Sequence, residues 1–146
     1  MVMKSGQKYL NYLFYHLPWQ LLMIAIFVVS SISQQHLPAF TEKISDKILH
    51  FSAFGLLGLL MVHSFKHSKS SFIQKHAGML AVIFTSVYGI TDELHQLLVP
   101  GRFCSIFDWL ADTAGAIILV LIFLYHLYFR KRATGNGALA RKNEHE

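Results

Sequence analysis

The sequence predicts an all-α integral membrane bundle of four transmembrane helices with both termini cytoplasmic. Three observations carry that reading. Only 14% of the residues are charged, against roughly a quarter in a soluble domain, and mean hydropathy is +0.41. Four apolar stretches are each long enough to cross a bilayer, which takes about 20 residues, range about 17–25. Basic residues gather at alternate connections. The 146 residues read as a single membrane domain over 1–146.

The first stretch, about 17–33, reads LPWQLLMIAIFVVSSIS. Lys4 and Lys8 precede it, and Ser31-Ile32-Ser33 has the small-x-small form of a signal cleavage site. Three further spans follow it and nothing downstream has soluble-domain character, so it is expected to stay as a span. The second stretch is about 48–65 and carries Gly55 and Gly58, small residues suited to close helix contacts. The third, about 77–99, turns polar over its last third. The fourth, about 107–129, starts polar and carries Ala111, Ala114 and Gly115, again suited to close contacts. Residues 133–146 are small and polar and read as a disordered cytoplasmic tail.

Orientation follows from the lysines and arginines. Lys4 and Lys8, then Lys66, Lys69 and Lys75, then Arg130, Lys131, Arg132, Arg141 and Lys142 all fall on one side of a four-span chain. Only Lys43, Lys47 and Arg102 fall on the other. Excess basic residues mark the cytoplasmic side. Tyr12, Tyr15 and Trp19, and then Tyr125, Tyr128 and Phe129, supply aromatic belts at inner ends, and Trp109 marks an outer end. The basic run at 130–132 abuts a span, so it reads as a topology signal, and no nucleic-acid partner is expected. The lone Cys104 excludes an internal disulfide and a cysteine-based zinc site, and reads as a small apolar residue at an interface. His16, His36, His63, His67, His76, His126 and His145 read as interfacial or solvated.

The acids go the other way. Glu144 and Glu146 end the tail, while Glu42, Asp46, Asp92, Glu93, Asp108 and Asp112 all fall at the outer face or in the outer third of a span. Ionisable groups are costly in a membrane and mark function there. Asp46 and His50 are four apart and share a helix face, as do Asp92 and Gln96, and Asp108, Asp112 and Gly115. Glu93 lies about 100° round from Asp92, so the two face different partners. Asp92 and Glu93 sit about one to two turns below the surface, given a rise of 1.5 Å per residue. Pro100-Gly101 makes a tight outer turn, which sets Arg102 close to the acids.

The candidate binding set is therefore Asp46, Lys47, His50, Asp92, Glu93, Gln96, Arg102, Asp108 and Asp112. Within it, His50, Glu93 and Gln96 are expected to converge from separate helices. Arg102 is expected to bridge Asp92, Glu93 or Asp108, and Asp108 to cap its helix. Five acids against Lys47 and Arg102 disfavour a bare anion. A cation, an amine-bearing ligand or a metal-bridged phosphate suits the balance, and protonated carboxyls would donate to sugar or peptide groups. No cofactor is required. A divalent cation is the one that the acids could hold with His50 and His95.

The pattern Asp46-Lys47-x-x-His50, Tyr88-Gly89-x-x-x-Glu93-x-x-Gln96, Pro100-Gly101-Arg102 and Asp108-x-x-x-Asp112-x-x-Gly115 resembles the VanZ-like family of small bacterial membrane proteins. The resemblance covers about 46–115. Asp112 departs from it, because the family often has Asn there. The resemblance implies a multi-pass protein of the bacterial cytoplasmic membrane. It also implies a setting in the cell envelope, since the namesake is linked to teicoplanin resistance. Three functions stay open. One is binding of an antibiotic, a peptidoglycan precursor or a lipid headgroup. Another is metal-dependent chemistry on a lipid-linked phosphate or headgroup, although no serine or cysteine nucleophile has an obvious base. The third is proton- or cation-coupled transport, or scaffolding, although the inner halves of all four spans lack acids. The first is favoured, which leans away from an enzyme, and the sequence does not reveal an oligomeric state.

Overall fold

A computed structural model describes residues 3–33 and 46–143, and it has no strand among them. Six helices follow in order. They are α1 (Met3–Tyr15), α2 (Leu17–Ser30), α3 (Asp46–Lys66), α4 (Ser71–Lys75), α5 (Ala77–Gln96) and α6 (Ile106–Asn143). His36, Glu42, Lys43, Glu144, His145 and Glu146 lie outside the described residues.

Small residues set the tightest seam. A methyl group added at Gly58 would meet Ala116 Cβ at 3.1 Å, and one at Gly55 would meet the Gly115 carbonyl oxygen at 3.1 Å. One added at Gly115 would collide with the Phe51 carbonyl oxygen. The α3 and α6 backbones can approach so closely only because no side chain stands between them. As a result α3 packs most extensively on α6, and α5 leans on both. Phe54, Leu57, Met61 and Val62 of α3 form the core with Ile26 of α2, Ala77 and Ala81 of α5 and Val120 of α6.

The outside is more apolar than parts of the inside. Phe84, Val87, Leu121 and Ile122 are each at least 53% exposed, while Thr85 and Asp112 are fully buried. Water would penalise such a surface, whereas lipid tails do not. Three helices, α3, α5 and the 106–133 part of α6, are long and apolar enough to cross a membrane.

The expected first span, 17–33, is built differently. Its helix ends at Ser30 and has 14 residues, about 21 Å at 1.5 Å per residue, short of a hydrocarbon core of about 30 Å. Pro18 stands in the first helical turn, where its missing N–H costs nothing, and α1 and α2 meet there at a 45° bend. The count is therefore three spans, or four if the bent pair acts as one. At the other end of the chain, the helical backbone of α6 runs on to Asn143.

Three helices fix the two ends of the bundle. Lys66 closes α3, Lys75 precedes α5, and α6 leaves with its arginines at the same end. The acids occupy the opposite end. There α5 stops at Gln96 and two further turn bonds, Leu98 N–H to the His95 carbonyl and Val99 N–H to the Gln96 carbonyl, carry the chain out. Gly101 has φ of 80°, a left-handed conformation that suits glycine, and the chain then returns into α6.

Candidate functional site

The centre of the acid-bearing end is made by three helices. His50 sits one turn into α3, Asp112 nearly two turns into α6, and Glu93 in the last turn of α5. His50 Nδ1 lies 3.0 Å from Asp112 Oδ1 and 4.0 Å from Glu93 Oε1. All three side chains are buried, with Asp112 at 0% exposure. The Ser105 backbone N–H donates to Glu93 Oε2 at 2.6 Å. Glu93 Oε1 and Asp112 Oδ2 have no hydrogen-bond partner. A methyl group at Gly89 would stand 2.9 Å from Asp112 Oδ2, so the glycine keeps room beside that oxygen.

Asp92 faces another way, as the angle between neighbouring helical residues requires. Its Oδ2 accepts from the Ser30 hydroxyl at 3.0 Å and from the Gln96 amide at 2.9 Å, while its Oδ1 is buried without a partner. The sequence grouped Gln96 with His50 and Glu93. Gln96 instead serves Asp92 one turn away on α5, and Asp112 takes its place beside His50.

Two further expectations are corrected. Arg102 makes no ion pair with an acid among the described residues. Its guanidinium donates to the Ile32 carbonyl at 3.2 Å and to the Val29 carbonyl at 3.5 Å. These groups lie at and just beyond the C-terminal end of α2, where the helix dipole attracts a cation. The cap of α6 is Ser105, whose hydroxyl accepts from the Asp108 N–H at 3.3 Å. Asp108 is freed to pair with Lys47 Nζ at 3.2 Å. Asp46 is exposed at the rim.

A cavity of about 340 Å³ opens between α2 and α3. Leu22, Ala25, Ile26 and Val29 form one wall, and Leu49, Ala53 and Phe54 the other. Asp46, His50, Asp92, Gln96 and Arg102 line it at the acid-bearing end, together with Ser30. This is an amphipathic space, with a long apolar trough and polar groups gathered at one end. Two sets of side chains have the ligand type and spacing for a metal ion. One is His50, Glu93 and Asp112, all buried, and the other is Asp46, His50 and Asp108.

Ser30 and Ser105 had no place in the sequence reading. A lone serine carries no charge and no spacing pattern, and only its neighbours reveal its role. At the opposite end, His16 Nδ1 meets Ser64 Oγ at 2.7 Å and the Trp19 indole N–H donates to the same oxygen at 3.2 Å. His67 stacks on Tyr15 at 3.9 Å. These histidines tie α1 and α2 to α3. Cys104 is exposed.

The family model described as VanZ/LLP1 matches residues 4–129. Neither curated proteins nor solved structures give a significant match.

Proposed function

The chain belongs to the VanZ/LLP1 family, and from that premise we propose that it binds an amphipathic ligand of the bacterial cell envelope. The ligand is a lipid-linked wall precursor or a lipid-tailed glycopeptide. It is held at the extracytoplasmic face of the cytoplasmic membrane, and the protein acts in the envelope's response to glycopeptides by binding rather than by turnover. The observation that carries the reading is the cavity between α2 and α3. Its apolar walls suit an acyl or prenyl chain, and each buried CH₂ contributes about 0.8 kcal/mol. Its polar end suits a headgroup. Arg102 and Gln96 offer donors, and Asp46 and Asp92 offer acceptors to amines, sugars or peptide N–H groups.

The test is mass spectrometry of lipids that co-purify with the protein from bacterial membranes in mild detergent. Ala53 lines the trough and is half-buried, so Ala53→Trp fills it from its apolar wall. The wild type should hold one lipid class above its bulk abundance, and the variant should lose about tenfold of that enrichment, worth about 1.4 kcal/mol. Identical lipid profiles in the two proteins would contradict the reading.

A further inference from the structure

We propose that His50, Glu93 and Asp112 form a binding site for one divalent transition-metal ion of the Zn²⁺ or Mn²⁺ class. The three helices α3, α5 and α6 each supply one ligand, and one nitrogen and two carboxylate oxygens lie within 4.8 Å of one another. An imidazole with two carboxylates is a donor set for such ions.

The simpler account is a closed ion pair between His50 and Asp112. It leaves too much unsatisfied. One Nδ1–H serves one acceptor, and Asp112 Oδ1 at 3.0 Å takes it. Glu93 Oε1 and Asp112 Oδ2 remain buried without a partner, on residues 3% and 0% exposed. Buried carboxylate oxygens of this kind carry a large desolvation cost. A divalent cation among these side chains would give the buried carboxylates the partner that the ion pair leaves out. With His50 neutral as a ligand, the two carboxylates cancel its charge. The alternative set with Asp46 and Asp108 is less suited, because Lys47 already pairs with Asp108 and Asp46 is exposed.

Three protein ligands leave a coordination position open. His50 also lines the cavity, so that position serves a phosphate or carboxylate oxygen of a headgroup. This overcomes the negative charge that would otherwise repel an anionic lipid. This role for the metal rests on the ligand-binding reading above, but the site itself is tested without any ligand.

The full chain, purified in detergent and stripped with chelator, is loaded with Zn²⁺, desalted and measured for metal by mass spectrometry. Glu93→Gln and Asp112→Asn keep side-chain size and are compared with the double variant His63→Asn/His67→Asn, which removes the adjacent histidines at the other end. About one Zn²⁺ per chain is expected in the wild type and the double variant, falling about tenfold in Glu93→Gln and Asp112→Asn. X-ray absorption of the Zn²⁺-loaded wild type, which needs no variant, should show a single imidazole among oxygen ligands. The inference is overturned if the wild type keeps no metal, if all variants keep it equally, if the double variant alone loses it, or if the absorption shows sulfur or several imidazoles. The same samples report lipid. In the wild type, metal absent with lipid retention intact overturns the metal site alone, and lipid absent with metal retained overturns the ligand-binding reading alone.

Discussion

The α3–α6 seam and the α2 wall are held by different forces. Along the seam, Gly55, Gly58, Gly115 and Ala116 bring two backbones into contact, and van der Waals packing does the rest. Along α2, Ile26 packs into the core with Trp19, Leu22 and Met23 against it, and polar attachments are added to that packing. Trp19, with His16 just before the helix, reaches Ser64 at one end. At the other, Ser30 donates to Asp92 and Arg102 holds the Ile32 carbonyl, and midway along the helix Tyr88 donates to the Met23 carbonyl at 2.7 Å. Beside those contacts the cavity opens between α2 and α3. The contrast separates two tasks. The seam fixes the positions of His50 and Asp112, and the hydrogen-bonded wall sets what can reach them.

The seam can be broken first, and there the effect is largest. Gly115→Ala places a methyl group on the Phe51 carbonyl oxygen, and overpacking of this kind costs about 1–3 kcal/mol. Thermal unfolding in detergent should move down by several degrees, and because His50 and Asp112 ride on the two separated helices, metal retention should fall with it. An unchanged midpoint would mean that the seam is not the rigid part. The wall gives a smaller effect. Ser30→Ala removes one donor to buried Asp92 but leaves Gln96 in place, so stability should drop by only about 1 kcal/mol. Lipid retention should change more than the unfolding midpoint does. A loss of stability equal to that of Gly115→Ala would erase the distinction between seam and wall.

Much of this was legible in the sequence. The second span, expected over 48–65, is α3 over Asp46–Lys66, and the fourth was placed within one residue of the Ile106 start of α6. Apolar runs of bilayer length leave little freedom for buried backbone other than a helix. Helical spacing also separated Asp92 from Glu93 and put Asp108, Asp112 and Gly115 on one face. The failures have a common cause. Arg102 was assigned to the acids because they are near in sequence, but the carbonyls it holds belong to a helix about 70 residues earlier. Ser30 reaches Asp92 across a similar separation. Periodicity reports which residues share a helix face and not which helix lies opposite. The 45° break before α2 was hidden for another reason, since the apolar run alone was long enough for a span.

Photo-crosslinking tests the central claim most directly. A photoreactive side chain is introduced at Leu22, which lines the trough and is partly buried, and in a second protein at Leu121, which is 59% exposed on α6. In bacterial membranes the Leu22 probe should capture one lipid class far above its abundance, and the Leu121 probe should capture the bulk mixture. The same mixture at both positions would contradict an α2–α3 cavity that binds an envelope ligand.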